Sequence, residues 1–579
     1  MKKLLLFFLL GTAALSACKQ DDFLEPKTSG LVEETVFTDS VRTVAFLSRI
    51  YSDIGFSFNK QRWSSHGTAE HATDDAEYSF SGAPQSAVIL YSGTLSPLNL
   101  PSNDFWELPW ANIRRVNLLL AKLPTTPLSK KMQNRMAAEA RFLRVWYYEN
   151  LLVCFGGIPI IGDKVYGIED VIDQPRTSYA ECVTYLTQEL DEIATQLPTR
   201  DEYPAADYGR ITRGACLAMK SRILLEAASP LFNGGAETTD PSLAALVSYP
   251  AYSVSRWQAA ADAAQAVINS GYYSLVVDNT TAPGNGFVSM FLQRVNPEYI
   301  FFVNRVNNST ANKDLEFVFL PSTRGGAAYF MPTQNLVDAF PMKNGKAITD
   351  PTSGYDPKNP YANREPRFYN SIIYNGARFQ LNSSNSLQPV WTYEGAPSDG
   401  FNVGNSTTGY YFRKMLDPNI ANNSPGITAR GWSLMRYAEI LLNYAEAINE
   451  TGQPELAVPK IVELRRRAGI DAGADGRYGI APGISVAQMR ELIRTERRVE
   501  LSAEDHRWHD IRRWKTAMVI SNAYNLRMRI VQSSPTAAPT SYNIVPTIRR
   551  HNFRPEMYLL PIPDGEIRKI PAFRQNPGW

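Results

Sequence analysis

Hydrophobic residues recur every three or four positions along most of the chain, which is the spacing of amphipathic helices. The repeats predict helical hairpins, which pair 38–54 with 103–123, 132–155 with 178–197, and 212–230 with 255–270. A fourth hairpin lies in MRYAEILLNYAEAINETGQPELAVPKIVELRRRAG, where Gly452 and Pro454 mark the turn, much as in a tetratricopeptide unit. Because such units bury their apolar faces only by stacking, the pattern predicts a mainly α-helical scaffold of tetratricopeptide-like hairpins.

The helical pattern fades in two stretches. Residues 271–430 are rich in Gly, Pro, Asn, Ser and Tyr and indicate only short strands, and residues 56–100 are similarly loop-rich. Binding residues tend to gather on loops that a rigid scaffold holds in place. We therefore predict a scaffold at 35–270, a loop-rich ligand-binding insertion at 271–430, and a C-terminal helical part at 431–579.

The first residues have the character of a bacterial export signal. A lysine pair precedes an apolar run at 4–10 that is too short to span a bilayer, and the sequence LSAC, ending at Cys18, resembles a lipobox. We predict a signal peptide at 1–17 and a lipidated tether at 18–34, in which the acyl chains on Cys18 supply the membrane anchor. An ordinary signal peptide with an incidental cysteine is the alternative.

Two carboxylates lie on the apolar face of the helix that is predicted to start after Ser485, a plausible N-cap. Glu496 and Glu500 share the face that carries the apolar residues. A charge withdrawn from water is costly unless it is paired, so we predict a buried ion-pair cluster. The nearest candidate cations follow in sequence: Arg507, Arg512 and Arg513. The alternative is a glycosidase acid and base, which we disfavour because these carboxylates continue a core-facing stripe.

The same region carries a recognisable pattern, ERRVEL at 496–501 followed by EDHRWHDIRRW at 504–514. It resembles the C-terminal signature of the SusD (RagB/SusD) family of surface nutrient-binding lipoproteins. The segments EARFLRVWYYENLLVCFGGIPI, WELPWANIRRVNLLL, WQAAADAAQAVINSGYYSL, YLLPIPDGEI and QNPGW also resemble family blocks, in the corresponding order. One departure is Asp505, where the family usually has Gly; Asp tolerates the left-handed backbone that a helix break needs.

This resemblance implies a lipid-anchored protein on the outer face of the bacterial outer membrane. It implies capture of an oligosaccharide and its delivery to a SusC-like TonB-dependent transporter, with no catalysis and no cofactor. The formal net charge of +2, without a long basic run, supplies no electrostatic footprint for nucleic acid. The alternatives are a peptide-binding module that uses the helical groove for peptide uptake, and a glycoside hydrolase.

A glycan site needs aromatic platforms for the apolar faces of the sugar, flanked by polar groups for its hydroxyls. Aromatic residues in the irregular segments are the candidates, although loop aromatics often pin a loop to the scaffold instead. We predict these ligand-binding residues: Trp63, Tyr78, Tyr329, Phe330, Trp391 and Tyr393.

Acidic and histidine side chains crowd the segment HGTAEHATDDAE at 66–77. Its His-to-Glu-His spacing is one residue too long for a zinc protease, and its acidic residues lack the glycine-punctuated spacing of a calcium loop. We therefore predict no catalytic residue and no metal site, although the sequence does not decide whether calcium binds. It also leaves open which glycan or peptide binds, which aromatics contact it, and the stoichiometry with the transporter.

Overall fold

The structure is a computed structural model that describes residues 33–54, 68–78, 85–102, 105–167, 169–304, 313–381, 384–397, 399–400, 407–417 and 430–579. Helices make up 47% of it and strands 10%. The predicted mainly α-helical class is confirmed. No helix in the described part of the chain is long and apolar enough to cross a membrane.

The N-terminal half is a series of helices packed side by side. Their bounds are α1 (Glu33–Phe37), α2 (Ser40–Ser52), α3 (Gln85–Ser92), α4 (Glu107–Lys122), α5 (Lys130–Phe155), α6 (Tyr179–Ala194), α7 (Arg213–Ala228), α8 (Pro241–Val247) and α9 (Val254–Ser270). Side-chain caps set several starts: Ser129 accepts from the Met132 amide at the start of α5, and Thr212 accepts from the Ala215 amide at the start of α7. Helix α9 ends at Ser270 and is capped by Gly271, whose φ of +66° suits a residue without a side chain.

Four short helices interrupt the loop-rich insertion, where the sequence had indicated only strands. They are α10 (Asn285–Leu292), α11 (Lys313–Phe319), α12 (Gln334–Ala339) and α13 (Pro366–Ser371). The C-terminal part has three longer helices followed by three short ones. These are α14 (Tyr437–Glu450), α15 (Pro454–Arg467), α16 (Val486–Glu500), α17 (Arg507–Arg513), α18 (Ala517–Ile520) and α19 (Asp564–Lys569).

The helices form a continuous stack. Helix α4 packs on α2 and α5, and α6 packs on α5 and α7. Helix α9 then joins the two halves of the chain, since it packs on both α7 and α14. The hairpin of α14 and α15, predicted as the clearest tetratricopeptide-like unit, packs together and against α16. Each amphipathic face is thereby covered by a neighbour.

The strands form antiparallel pairs, not a large sheet. The pairs are β1 (Ala76–Glu77) with β3 (Met331–Pro332), β2 (Tyr299–Asn304) with β8 (Gly431–Arg436), β4 (Ile372–Ile373) with β7 (Tyr411–Phe412), β5 (Arg378–Leu381) with β6 (Ser384–Pro389), and β9 (Tyr524–Val531) with β10 (Ser541–Arg550). Three of these pairs join segments distant in sequence. The pair of β1 and β3 ties the N-terminal loop region to the insertion.

The buried hydrophobic residues form two cores. One core fills the helical stack and includes Leu47, Phe142, Leu186 and Leu441. The other lies mostly within the insertion; its large members include Phe287, Phe330, Ile372, Phe412 and Trp432. Strand β9 also contributes to this second core, through Met528 and Ile530. The insertion therefore packs on the scaffold with a hydrophobic core of its own.

The C-terminal signature folds as two helices with a turn between them. The Ser485 hydroxyl accepts from the Gln488 amide (3.3 Å) and the Gln488 side chain accepts from the Ser485 amide (3.0 Å), so the predicted N-cap is confirmed as a capping box. Helix α16 ends at Glu500, and α17 begins at Arg507. Asp505 lies in this turn with a φ of +66°, the left-handed conformation expected at the break.

Candidate functional site

The hairpin of β9 and β10 has one buried face and one outer face. Met528 and Ile530 point into the second core, with 2% and 0% of their surfaces exposed. Side chains alternate along a strand, so Arg527 and Arg529 lie on the opposite, outer face. Asn543 on β10 is the cross-strand neighbour of Arg529. The hairpin thus presents arginines on a rigid support.

This hairpin is bound to both regions that hold the predicted aromatic residues. At its base, the Arg549 guanidinium donates to the backbone carbonyl of Tyr78 (2.6 Å). Closer to its turn, the Glu394 amide donates to the carbonyl of Ile530 (3.0 Å). The N-terminal loop region and the later part of the insertion are therefore held by the same element.

The first aromatic group is a stack of tyrosines. The rings of Tyr78 and Tyr329 lie parallel, with centroids 5.2 Å apart, and Phe317 meets Tyr329 edge-on at 5.5 Å. The Thr68 amide donates to His71 Nδ1 (3.0 Å), which places the ring proton on Nε2, 3.0 Å from the Tyr329 carbonyl. Burial lowers the pKa of His71 to about 4, so this imidazole is neutral at neutral pH. His71 acts here as a hydrogen-bonded link between two loops.

The second aromatic group surrounds Trp391. Its ring is partly exposed and meets the ring of Tyr393 edge-on, with centroids 6.2 Å apart. Gly376 has a φ of +83°, and a Cβ atom there would lie 3.5 Å from the tryptophan ring. The Asn375 carbonyl oxygen accepts from the Tyr393 amide (3.2 Å), and its NH₂ group donates to Gln532 (2.7 Å). The Gln532 NH₂ group in turn donates to the Ser534 carbonyl (2.8 Å), so these amides hold the loop that carries Trp391 in place.

A charged pair completes this rim. Arg529 and Glu394 form a salt bridge of 2.8 Å, in which the side chains are 47% and 45% exposed. The loop that meets the hairpin therefore carries a partly exposed aromatic ring and an exposed carboxylate that is paired with a guanidinium. These are the chemical groups that bind the apolar faces and the hydroxyls of a sugar.

The predicted ligand-binding residues that the structure describes fall into two classes of exposure. Tyr329 and Trp391 are partly exposed, whereas Tyr78, Phe330 and Tyr393 have 4%, 0% and 4% of their surfaces exposed. Phe330 packs against Phe319 and Phe412 in the second core, where it holds its loop in place. Trp63 lies outside the described residues, as does the predicted lipid attachment at Cys18. Tyr329 and Trp391 are thus the described candidates whose rings are partly accessible to a ligand, and their contact with a ligand stays a prediction.

The acidic segment after His71 is neutralised by arginines. Asp74 accepts from Arg507 (2.9 and 3.0 Å), and Asp75 accepts from Arg498 (2.6 Å). Burial raises the pKa of Asp74, but the two arginines outweigh burial and lower it to about 2. No group of three or more His, Cys, Asp or Glu side chains suited to a metal ion occurs among the described residues.

Glu496 and Glu500 are buried and paired with arginines. Glu496 bonds Arg367 (2.6 Å) and Arg465 (2.9 Å). Glu500 bonds Arg367 (2.9 Å), Arg436 (2.7 Å) and Arg467. These cations come from α13, β8 and α15, so the cluster joins the insertion to the C-terminal helices.

The arginines expected to pair with these carboxylates bind elsewhere. Arg507 pairs with Asp74, and Arg513 pairs with Glu446 (2.6 Å). Arg512 donates to the carbonyl of Tyr558 (3.1 Å). The physical reason is the end of α16 at Glu500: the following turn redirects the chain, so that residues close in sequence no longer share a helical face.

The polar groups around the loop of Trp391 could not be predicted from the sequence pattern alone. Asn375, Glu394, Arg529 and Gln532 were not singled out, because they come from two segments that meet only in the folded chain. One signal was available. In YNLRMRIV (524–531), apolar residues alternate with arginines, which is the pattern of a strand with one buried and one charged face.

Comparison with known proteins places the chain in a family. Residues 297–579 match the sequence profile of the SusD family, and residues 28–225 match a SusD-like profile described as starch-binding and associating with the outer membrane. The SusD-like protein P38 of Formosa agariphila is 22% identical over 526 residues, which cover 89% of this chain and 92% of that relative.

Solved structures agree with these matches. A SusD-like protein from Bacteroides fragilis is 25% identical and has a TM-score of 0.75, with 95% of this chain and 99% of that chain covered. A SusD-like carbohydrate-binding protein from the same species is 24% identical and has a TM-score of 0.72, and the match covers 93% of this chain and 100% of that chain. The two profiles and the shared fold lead to one conclusion: the chain belongs to the SusD/RagB family.

Proposed function

We propose that this protein captures an oligosaccharide at the cell surface and delivers it to a SusC-like TonB-dependent transporter. The observation that carries the proposal is the partly exposed ring of Trp391, which lies in the same loop as Glu394, the exposed carboxylate paired with Arg529. Family membership supports it, since one matched profile describes starch binding and a related structure is of a carbohydrate-binding protein.

The proposed anchor is the set of acyl chains on Cys18, which would insert into a leaflet of the outer membrane. The matched profile for residues 28–225 describes association with the outer membrane, which supports this location. A lipid-anchored binding protein needs a partner to move its ligand across the membrane, and the proposed partner is the transporter. The division into a scaffold at 35–270, a ligand-binding insertion at 271–430 and a C-terminal part at 431–579 belongs to the same proposal.

Binding without catalysis is part of the proposal. A glycosidase acid needs a raised pKa and a position beside a substrate cleft. Burial raises the pKa of Glu496 and of Glu500, but the neighbouring arginines outweigh burial and lower both. Both carboxylates are thus held ionised inside an ion-pair cluster, which suits a structural role better than acid catalysis.

The test is calorimetry of the chain from residue 19 onward against a panel of oligosaccharides and peptides. We expect one oligosaccharide to bind, and Trp391→Ala to lower its affinity by about tenfold or more, because a stacked ring is removed. Tyr329→Ala tests the other partly exposed ring. The control is Tyr252→Ala, a surface tyrosine on the scaffold with 62% exposure, which should leave the affinity unchanged. Oligosaccharide binding that survives both Trp391→Ala and Tyr329→Ala contradicts the proposed site.

Peptide capture is a second candidate, favoured by one observation. The scaffold has an apolar groove of about 400 Å³, lined by residues such as Trp106, Trp110, Ile113, Tyr166 and Phe573. Such a groove suits large apolar side chains of a peptide. Binding of peptides alone, lost on Trp110→Ala and retained on Trp391→Ala, would move the assignment to peptide uptake.

A further inference from the structure

The outer face of the β9–β10 hairpin is rich in cations. Residues 511–555, which include the whole hairpin, contain no aspartate or glutamate. Arg527 and Arg529 lie on the same face, because they are two positions apart on one strand. Any acidic group that neutralises this face must therefore come from another part of the fold or from a ligand.

Two carboxylates of other segments pair with arginines of the hairpin, one in the interior and one at the outer face. Glu77 is held at the base of the hairpin, where it accepts from Arg549 (3.1 Å) and Thr547 (3.1 Å) and lies 3.6 Å from His551. Glu394 accepts from Arg529 (2.8 Å) beside the turn of the hairpin. The buried Arg549 and the exposed Arg529 are thus each paired with one of these carboxylates.

Arg527 lies between these two charged pairs. Its guanidinium is 3.5 Å from the Thr407 carbonyl oxygen. Burial and the nearby Arg529 lower the pKa of Arg527, and Glu77 and Glu394 only partly oppose this. Two arginines, Arg527 and Arg529, therefore lie on the outer face where the loop of Glu394 meets the hairpin.

The Arg529–Glu394 pair is suited to exchange. Both side chains are about half exposed, and an ion pair at the surface contributes little to stability because water and salt screen it. A guanidinium presents a planar fork of donors that suits the paired oxygens of a carboxylate or of a tetrahedral oxyanion such as sulfate. An acidic group on a ligand can therefore replace Glu394 at small cost to the fold.

We propose that the bound oligosaccharide is acidic, and that its carboxylate or sulfate group displaces Glu394 from Arg529 while a sugar ring packs on Trp391. This inference rests on the proposed function and names the class of its ligand. Arg527 adds long-range attraction for the same group. A neutral sugar has no anionic group that could form an ion pair with Arg529.

The experiment compares matched ligands on the chain from residue 19 onward. The carboxylated probes are oligogalacturonates, the sulfated probes are carrageenan oligosaccharides, and the neutral probes are malto-, laminari- and xylo-oligosaccharides. We expect one acidic class to bind, with an affinity that falls as sodium chloride is raised. Arg529→Gln should weaken this binding about tenfold, because a charge-assisted hydrogen bond is lost.

The reverse substitution gives the sharper test. Glu394→Gln removes the competing carboxylate, so it should tighten binding of the acidic ligand by about two- to fivefold. The control is Arg568→Gln, which removes another surface arginine that is paired with a carboxylate (Asp564, 2.7 Å) and should change nothing. Thermal melts of all variants verify that each is folded.

The outcomes separate this inference from the function on which it rests. Binding of a neutral oligosaccharide alone, unaffected by Arg529→Gln, overturns the acidic ligand and leaves oligosaccharide capture in place. If Glu394→Gln weakens the binding of an acidic ligand, the proposed exchange is wrong, because Glu394 then contributes to ligand binding and does not compete with the ligand for Arg529. An absence of binding across all three classes overturns both proposals.

Discussion

Two groups of buried carboxylates in this protein have opposite electrostatic surroundings. The first group lies where the insertion meets the C-terminal helices and is matched by five cations. Its carboxylates are Glu298, Glu365, Glu496, Glu500 and Glu504, and its cations are Arg367, Lys414, Arg436, Arg465 and Arg467. The second group is Glu149 on α5, which is buried, and Glu226 on α7, whose side chain is 12% exposed; both line a cavity of about 120 Å³ that Glu504 of the first group also reaches.

The cations near the cavity are engaged elsewhere. Arg222 forms a bidentate pair with Glu439 (2.8 and 2.7 Å), and Arg513 lies 3.9 Å from Glu226 but bonds Glu446 at 2.6 Å. Burial therefore dominates and raises the pKa of both Glu149 and Glu226 to about 7. Burial alone therefore does not decide whether a carboxylate is ionised at neutral pH; the placement of arginines does.

The largest expected effect comes from breaking the paired group. Glu500→Gln leaves three buried arginines without one of their carboxylates, so we expect a loss of about 3–5 kcal/mol in the free energy of unfolding. Urea unfolding at pH 7 measures it. The matched control is Glu455→Gln, which breaks the half-exposed pair with Arg477 and should cost less than about 1 kcal/mol. Equal losses in the two variants would contradict the importance of burial.

A smaller effect on the free energy of unfolding is expected at Glu446, which pairs chiefly with one arginine. Glu446 accepts from Arg513 (2.6 and 2.7 Å) and from the Trp514 indole (2.7 Å). Burial raises its pKa, but Arg513 outweighs burial and lowers it to about 2, from an ordinary value of 4.5. A lowered pKa gives stability that is present above pH 4.5 and is lost as the pH falls towards 2.

We therefore expect Glu446→Gln to destabilise the protein by about 2–3 kcal/mol at pH 7, and by progressively less below pH 4.5. Urea unfolding of this variant and of the wild type, at steps between pH 3 and pH 7, measures the difference. A difference that stays constant across this range would show that Glu446 stabilises the fold through its shape and not through its charge.

Local sequence predicted the parts of the fold that local interactions decide. The capping box of Ser485 and Gln488, the left-handed turn at Asp505 and the hairpin of α14 and α15 all depend on residues within a few positions of one another. The spacing of hydrophobic residues and the identity of the helix-capping residues are enough to predict such features. The mainly helical class followed for the same reason.

Partners across the fold could not be predicted in the same way. Glu500 bonds Arg367, which is 133 residues away, whereas Arg507 and Arg513, close in sequence, bind other groups. The rim of the candidate site has the same origin, since Arg529 and Glu394 are 135 residues apart. A single sequence shows which side chains need a partner, but the partner depends on how the insertion packs on the scaffold.

The smallest expected effect, and the only one of opposite sign, belongs to the cavity. The pKa of Glu149 is raised to about 7, so between pH 4.5 and 7 the folded state holds a proton that the unfolded state releases. The wild type therefore loses stability as the pH rises through this window. Gln cannot ionise, so we expect Glu149→Gln to be more stable than the wild type by about 1–2 kcal/mol at pH 8, and equally stable near pH 4.5.

Urea unfolding at both pH values measures this gain, and Glu226→Gln supplies the background that sharpens it. The charge of Glu226 contributes to the raised pKa of Glu149, so the gain from Glu149→Gln should shrink when Glu226 is already neutral. A Glu149→Gln variant that is less stable than the wild type at pH 8 would mean that the carboxylate is compensated inside the cavity. The two groups of buried carboxylates would then differ in where their partners lie, and no longer in whether their charge is matched.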